Sequence, residues 1–488
     1  MEQKQTLTGR AKLSYALGAV GKDMVYMLSA SYVLYYFQDI MGVSAIAMGT
    51  ILLVARVFDA FNDPIMGVVV AKTKTKWGKF RPWLLIGTLT NAVVLYLMFA
   101  APPTLNAAGL TAYAAVTYIL WGVTYTMMDI PYWSMIPAFT EGGREREGLT
   151  TLARSAAGVG SAIITIVTLI SVHALGEMFG GANAREIEIL GFKYFSLIIA
   201  ALFIVFTLIT CLNVKERSTV EMETVSVGQM FKALLQNDQA MAVTITIVLV
   251  NGALYITSNL VLYFFKYDFG GADWYGSYTL FSTFGGGIQI LSMMLLYPLL
   301  RNVLKLSNMR IFYVSMGMGA AGYAVLLALA FTNMTSVVLL CIPGFFIFAT
   351  NGVNAILTTV FLANTVDYGE LKNQRRDESV IFSMQTFVVK LSSGVAAFIA
   401  SICLQVNRLS DAAVSEADKL VDFSASVSES AKVGLRMTMT VIPIVMLIVA
   451  FLWFRKRYIL TDEKIAEISG KVSLLHREQS AERKPSDY

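Results

Sequence analysis

The sequence predicts an all-α integral membrane protein with twelve transmembrane helices, arranged as two pseudo-symmetric bundles of six. Of its 488 residues, 56% are hydrophobic and only 15% are charged, whereas a soluble domain carries about 25% charged residues. Apolar runs recur along the chain, and their length of about 20 residues suits helices that cross a bilayer, not the short alternating strands of a β-barrel. One polar connection separates six runs from six more, which is the plan of transporters built from two related halves.

The runs and the segments between them define four predicted regions. The N-terminal bundle occupies 1–214 and the C-terminal bundle 239–457, joined by a cytoplasmic middle loop at 215–238. A cytoplasmic tail follows at 458–488, where apolar residues at helical spacing predict a short helix on the membrane surface. The predicted spans lie near 13–37, 46–71, 82–102, 110–137, 150–175, 190–214, 239–265, 274–300, 309–331, 334–364, 379–405 and 433–455.

Lysine and arginine determine the predicted orientation. They crowd into alternate loops, above all 72–81 (KTKTKWGKFR), while the other loops hold few of them. Cytoplasmic loops carry such an excess, so we expect a multi-pass protein of the inner or plasma membrane with both termini in the cytoplasm. The net charge of +5 comes from these loops and does not indicate nucleic acid as a partner. We expect a monomer to be functional and no cofactor to be needed.

Three ionisable residues share one face of the second predicted span. In LVARVFDAFNDPIMG (53–67), Arg56, Asp59 and Asp63 lie at i, i+3 and i+7, which a helix brings together. A charge at membrane depth costs at least ~2.5 kcal/mol, so such groups must be paired or bind something. Two carboxylates one turn apart need a positive partner: Na+ or another small cation such as Li+, a proton, or Arg56 in a structural ion pair. Asn62 flanks the two acids.

The fourth predicted span carries an aromatic and acidic stripe. In TYILWGVTYTMMDIPYW, Trp121, Tyr125 and Asp129 recur every four residues, with Thr126 at the edge of the stripe and Trp133 one turn on. An aromatic ring beside a carboxylate suits a sugar, because the ring stacks on its apolar face and its hydroxyls need acceptors. Packing or an interfacial belt explains most aromatic stripes, and the acid within this one is what favours a sugar site.

Ionisable residues within the predicted spans concentrate in the first half of the chain. Lys22 and Asp23 interrupt the first span. Arg154 lies in the fifth, where it can donate to sugar hydroxyls or pair with Asp129. The second half contributes Lys390. Intramembrane charges are functional candidates by default, so the N-terminal bundle is predicted to build most of the polar site. Salt bridges between helices would explain one or two pairs but not the whole set.

The sequence does not predict an enzyme. The two histidines, His173 and His476, lie away from the acids, and no phosphate loop, nucleophile elbow or metal-ligand spacing occurs. All three cysteines fall inside apolar runs, which indicates neither disulfides nor a metal site beyond that of a coupling cation.

Several motifs occur in the order found in one transporter family. They are GAVGKD (18–23), LVARVFDAFNDPIMG (53–67), KWGKFRPWLLIGTL (76–89), TYILWGVTYTMMDIPYWS (117–134), REREGL (144–149), VDYGE (366–370) and SMQTFVVK (383–390). With them the sequence resembles the glycoside-pentoside-hexuronide:cation symporters, a branch of the major facilitator superfamily that includes the melibiose carrier. The resemblance is collinear across nearly all twelve spans. It implies the major facilitator fold and cation-coupled sugar uptake by alternating access.

The resemblance also implies roles for individual residues, position by position. The cation site of the family matches Asp59, Asn62, Asp63 and Thr126, and members with both acids are typically Na+-coupled. The sugar contacts match Lys22, Asp23, Asp129 and Arg154, with Trp133 and Tyr125 beside them. The resemblance implies that Lys390 couples the two sites. Arg56 shares a helix face with the two acids, and we expect it to take part in coupling as a supporting charge. The cytoplasmic charge network that latches the outward-facing state matches Arg146, Asp367 and Arg376.

Two departures from the melibiose carrier bear on the expected cargo. Ala355 stands where that carrier has a tryptophan near the sugar on the tenth span, and Asn364 stands in place of its next acid. The sequence therefore predicts a symporter of a small cation, Na+ first, with a galactoside-like di- or oligosaccharide. The alternatives are an H+-coupled carrier of another glycoside, pentoside or hexuronide, and more remotely a lysolipid carrier of the same fold.

Overall fold

The computed structural model describes residues 7–136, 143–214, 227–271, 273–332, 334, 336–373, 378–409, 423–468 and 470–472. These residues are mostly helical. The α-helices are α1 (Gly9–Leu34), α2 (Ala45–Lys72), α3 (Arg81–Met98), α4 (Ala107–Ser134), α5 (Gly143–Met178), α6 (Ala184–Asn213), α7 (Val227–Gln236), α8 (Asp238–Phe264), α9 (Trp274–Leu291), α10 (Asn308–Thr332), α11 (Val337–Asn373), α12 (Glu378–Val406) and α13 (Glu429–Arg457). The π-helical segments are Tyr35–Ile40, Phe265–Phe269, Ser292–Leu296 and Leu299–Val303, and Phe423–Ser426 forms a 3-10 turn.

Each of the twelve predicted spans coincides with a helix. Eleven helical segments of the described residues are long and apolar enough to cross a membrane. The remaining predicted span is α1, which carries Lys22 and Asp23. Several helices are longer than predicted; for example, α5 already begins at Gly143 and α11 continues to Asn373. The tail is helical at 462–468, and the place of this helix on the membrane surface stays a prediction.

Side-chain caps define where two of the site-bearing helices begin. The Thr8 hydroxyl oxygen accepts a hydrogen bond from the Ala11 N–H at 3.3 Å, and the Asn106 side-chain oxygen accepts one from the Gly109 N–H at 2.8 Å. Each bond satisfies a first-turn donor that has no partner within the helix. The caps thereby set the first residues of α1 and α4.

The chain divides into two compact units. The first comprises Met1–Thr224, Asn259–Thr283 and Ala397–Leu435, and the second comprises Val225–Ser258, Phe284–Ala396 and Arg436–Tyr488. The first unit thus includes short segments from the second half of the sequence. The predicted division into bundles at 1–214 and 239–457 stays a prediction.

In the first unit, close contacts hold α1 against α4 and α5. The rings of Tyr15 and Tyr132 stack with centroids 4.4 Å apart, and each hydroxyl donates to the backbone carbonyl of the other residue. Gly160 of α5 lies so near α1 that an added Cβ would come within 2.4 Å of the Val20 carbonyl oxygen. A side chain at this position would push the helices apart. These contacts bring together the three helices that carry most of the predicted polar residues.

In the second unit, phenylalanine rings pack α10, α11 and α13 together. The ring of Phe454 lies 4.4 Å from that of Phe312 and 4.8 Å from that of Phe361, measured between centroids. The Thr350 hydroxyl of α11 donates to the Ser315 carbonyl of α10 at 3.0 Å. This packing is aromatic, and it sets the position of α11.

Candidate functional site

Lys22 is the centre of a polar cluster on α1 and α4. Its ammonium nitrogen lies 2.7 Å from Asp129 Oδ1 and 3.3 Å from Asp23 Oδ1. It also donates to the Tyr125 hydroxyl at 3.0 Å. The Lys22 side chain is only 5% exposed, whereas those of Asp23 and Asp129 are 21% and 25% exposed. One buried cation therefore holds two partly accessible carboxylates side by side.

The same two carboxylates receive further donors. The Trp133 indole N–H donates to Asp129 Oδ1 at 3.1 Å, and the Ser161 hydroxyl of α5 donates to Asp23 Oδ2 at 2.9 Å. These bonds fix the direction of each carboxylate. They do not use every lone pair, since an ionised carboxylate has about four acceptor sites.

A second cation and a broad ring complete the cluster. The guanidinium carbon of Arg154 lies 4.0 Å from the centroid of the Trp133 ring, and Lys22 Nζ lies 5.2 Å from it. Arg154 is exposed and Trp133 is half-buried, so both can reach a bound molecule. The predicted sugar contacts Lys22, Asp23, Tyr125, Asp129, Trp133 and Arg154 thus form one cluster, while their role in binding stays a prediction.

The aromatic stripe of α4 mostly packs in the interior next to this cluster. Trp121 stacks between Tyr118 and Tyr125, with centroid distances of 5.8 and 5.1 Å. Trp121 is 2% exposed, so its ring serves in packing, which is the common explanation of aromatic stripes. Tyr26 of α1 lies 5.5 Å from the Tyr125 ring and is half-buried.

The acids of α2 have separate partners. Arg56 Nη1 lies 3.3 Å from Asp59 Oδ2, and both side chains are 9% exposed. The Thr126 hydroxyl of α4 donates to Asp63 Oδ1 at 3.0 Å. Asp59 also lies against Gly122 of α4, where an added Cβ would come within 2.9 Å of Asp59 Oδ1. The structural ion pair considered from the sequence is therefore present, alongside the contact between Asp63 and Thr126.

The donor set here is oxygen from two carboxylates, a hydroxyl and an amide. No group of three or more histidine, cysteine, aspartate or glutamate side chains suited to a metal occurs among the described residues. The amide nitrogen of Asn62 is buried and finds no hydrogen-bond partner there. Hard monovalent or divalent cations prefer such oxygen ligands. The predicted cation role of Asp59, Asn62, Asp63 and Thr126 is compatible with this chemistry and stays a prediction.

Other predicted residues lie apart from the cluster or outside the described part. Lys390 is half-buried on α12 and belongs to the second unit. Asp367 is half-buried on α11, whereas the Arg146 side chain and the whole of Arg376 lie outside the described residues. Their roles in coupling and in the cytoplasmic gate stay predictions. Of the two departures on α11, Ala355 is exposed, and the Asn364 amide donates to the Tyr458 hydroxyl at 3.5 Å.

Some residues of the cluster escaped the sequence analysis, although a helical signal for each was present. Ser161 follows Arg154 by seven residues on α5, and Tyr26 follows Lys22 by four on α1, so each shares a face with a predicted residue. Outside this cluster, the sequence analysis also missed Asp39 and Lys266, because the predicted spans ended at 37 and 265. Both are buried and paired with each other.

Comparison with known proteins gives a family. The family described as MFS/sugar transport protein matches residues 14–462. A putative glycoside/cation symporter, YagG of Escherichia coli, is 27% identical and covers 98% of both chains. A lactose permease of Lactobacillus delbrueckii subsp. bulgaricus is 26% identical over 97% of this chain and 74% of its own. A raffinose carrier protein of Pediococcus pentosaceus is 26% identical over 94% of this chain and 71% of its own.

Solved structures show the same fold. An inward-facing, unoccupied bacterial homologue of the lysosomal transporter Spinster superposes with a TM-score of 0.63, at 11% identity, covering 92% of this chain and 96% of that one. The nucleoside transporter NupG gives a TM-score of 0.60 at 13% identity, covering 91% and 99%. The expected fold and the resemblance to the glycoside:cation symporters are therefore confirmed. The protein belongs to the MFS/sugar transport protein family and is a multi-pass membrane transporter of sugars, not an enzyme.

Proposed function

We propose that this protein carries a glycoside into the cell together with a monovalent cation, Na+ first, by alternating access. The observation that carries the proposal is the cluster in which buried Lys22 holds Asp23 and Asp129 side by side with part of each carboxylate exposed. A transporter of apolar cargo would gain nothing from two charged acceptors at membrane depth, where each costs at least ~2.5 kcal/mol.

The chemistry of the cluster suits a galactoside-like di- or oligosaccharide. Carboxylates of Asp23 and Asp129 accept hydrogen bonds from hydroxyls, and the Arg154 guanidinium donates them. The Trp133 ring provides a face for the apolar side of a sugar ring. The names of two relatives, a lactose permease and a raffinose carrier protein, refer to galactosides and support this class of substrate. A lysolipid would require an apolar groove and is less compatible with this cluster.

One helix connects the proposed sugar and cation sites. On α4, Thr126 contacts Asp63 of α2, while the adjacent Tyr125 contacts Lys22 of α1. With Arg56 already beside Asp59, one cation at Asp59 and Asp63 would neutralise the remaining negative charge. It would also fix α4 through Thr126, which in turn orders the sugar contacts. Linkage then requires that the sugar raise cation affinity by the same factor.

Proton coupling is the alternative, because Arg56 already gives Asp59 a positive partner at 3.3 Å. In that case Asp63 would carry the proton. Both forms of coupling use the same acids, and the cation gradient that drives uptake distinguishes them.

Uptake into proteoliposomes tests the proposal. Labelled galactosides and glucosides are offered under an imposed gradient of Na+, Li+ or H+ in turn. We expect a galactoside to accumulate with Na+. Accumulation with H+ alone would establish the alternative, and no accumulation with any gradient would refute symport.

Variants of the acid pair test the cation site. We expect Asp59→Cys and Asp63→Cys to abolish stimulation by Na+ while sugar binding persists. Glu467→Cys, which changes an exposed acid in the tail, is the matched control and should retain stimulation. Na+ stimulation that survives in both acid variants would place the cation elsewhere.

Two expectations on organisation complete the proposal. Both termini face the cytoplasm, because the basic loop 72–81 lies on the same side of the membrane as they do. One copy of the chain suffices for transport, since both proposed sites are built within the first unit. Protease accessibility of the tail in oriented vesicles and uptake at one copy per liposome test these statements.

A further inference from the structure

A further buried charge pair lies at the end of α1 opposite the N-terminus. Asp39 belongs to the π-helical segment that continues α1, and Lys266 to the one that continues α8. The two side chains form an ion pair and are 0% and 3% exposed. The Tyr267 hydroxyl donates to the other carboxylate oxygen of Asp39. This pair is distinct from the Lys22 cluster and contains none of its residues.

Aromatic rings enclose the Lys266 ammonium. Its nitrogen lies 4.5 Å from the ring centroid of Phe423, 4.8 Å from that of Tyr35 and 5.5 Å from that of Trp274. It also donates to the Tyr35 hydroxyl at 3.0 Å, which in turn donates to Glu188 of α6 at 2.6 Å. Four parts of the first unit therefore meet at this one cation: the ends of α1 and α8, the start of α9, and the 3-10 turn. The start of α6 is joined to them through the Tyr35 hydroxyl.

Such a pair has two stable arrangements and few between them. While it is closed, water is excluded and the charges satisfy one another. If the helix ends separate slightly, two buried charges lose their partners without gaining water, which is strongly unfavourable. Only full separation with entry of water restores their solvation. A buried ion pair between two helix ends thus favours discrete open and closed states.

The backbone around the pair is built for a change of direction. Both segments are π-helical, a local distortion that occurs often at functional sites. Each is followed closely by a glycine with positive φ, Gly42 at 80° and Gly270 at 71°. These glycines end the helices just beyond the ion pair.

We propose that Asp39 and Lys266, with Tyr35 and Tyr267, form a latch that closes this end of the transport pathway. The predicted topology places this end outside the cell. The latch breaks and hydrates each time this end opens, so it sets the balance between closed and open states. The inference rests on the proposed alternating access, but its test requires no transported sugar and so can fail separately from uptake.

Thiol labelling measures opening directly. Tyr263 of α8 is 1% exposed and packs edge-on to Tyr35, with centroids 6.2 Å apart. Tyr263→Cys, in a chain whose native cysteines are replaced by alanine, reports separation of the two helix ends through its reaction with a water-soluble maleimide in lipid nanodiscs. We expect slow labelling with the latch intact. Lys266→Met or Asp39→Asn should each accelerate it roughly tenfold or more, because each leaves an unpaired buried group.

The double variant Asp39→Asn/Lys266→Met tests whether the single variants act through the ion pair or by destabilising the helix ends in general. Removing both charges leaves no unpaired ion, so labelling should be slower than in either single variant. The proposal would be overturned if the accelerations of labelling in the two single variants multiply in the double variant. It would also be overturned if the single variants label no faster than the parent.

Two controls complete the experiment. Glu467→Gln breaks an exposed ion pair with Lys471 at 2.6 Å and should leave labelling unchanged. An equal acceleration there would also overturn the proposal. Ser44 lies on an exposed loop, so Ser44→Cys should label rapidly in every variant and reports the amount of protein and the activity of the reagent in each sample.

Discussion

Replacing Lys22 with methionine should destabilise the folded protein, because two carboxylates lose the ammonium group that they share. The change keeps a long apolar side chain and removes the ammonium group that lies 2.7 Å from Asp129 and 3.3 Å from Asp23. Because Lys22 is buried, water does not replace it at once. The two acids then face each other without a positive charge between them.

The expected size of the effect follows from the burial of the three groups. Breaking a buried pair by removing one partner costs about 3–5 kcal/mol. Asp23 and Asp129 are 21% and 25% exposed, so partial hydration keeps the cost near the lower end, at about 3 kcal/mol. In Lys22→Met/Asp129→Asn one of the two unpaired acids is gone. The double variant should therefore lose about 1.5–3 kcal/mol less stability than the sum of the two single variants, which is the size of a hydrogen bond to a charged group.

Equilibrium unfolding in mixed micelles, applied to the two single variants and the double variant, measures this coupling. The control cycle uses Lys471→Met and Glu467→Gln, an exposed pair at 2.6 Å that should show little coupling. A Lys22–Asp129 coupling no larger than that of the control pair would refute the account of Lys22 as the centre of the cluster.

Two further variants test the contacts around each proposed site. Gly122→Ala places a Cβ within 2.9 Å of Asp59 Oδ1, so we expect roughly tenfold weaker Na+ activation of uptake from a strain of about 1–3 kcal/mol. Gly158→Ala, with nothing within 4 Å, is the matched control, and equal activation in both variants would contradict the reasoning. Ser161→Ala removes the hydroxyl that donates to Asp23 Oδ2 and should weaken sugar binding roughly fivefold, from a loss of about 1 kcal/mol. Sugar affinity by calorimetry checks it, and an unchanged affinity would show that Ser161 does not position Asp23.

The sequence predicted the helices well because the signal for a membrane helix is local. Long apolar runs and charged loops are read within a window, and each predicted span coincides with a helix. The ends were less accurate. A window ends where average hydropathy falls, so the spans stopped at 37 and 265, although the π-helical segments continue and bury Asp39 and Lys266.

The sequence by itself determined which residues of the candidate site share a helix face, because the period of 3.6 residues fixes that relation. It brought Arg56, Asp59 and Asp63 together and placed Asp129 in the stripe of α4. Only the tertiary structure decided which side chains of different helices pair with one another. Lys22 meets Tyr125 across 103 positions of sequence, and Lys266 meets Asp39 across 227. Such pairs depend on how helices cross and on where a glycine permits close approach, and helical periodicity along one chain contains neither.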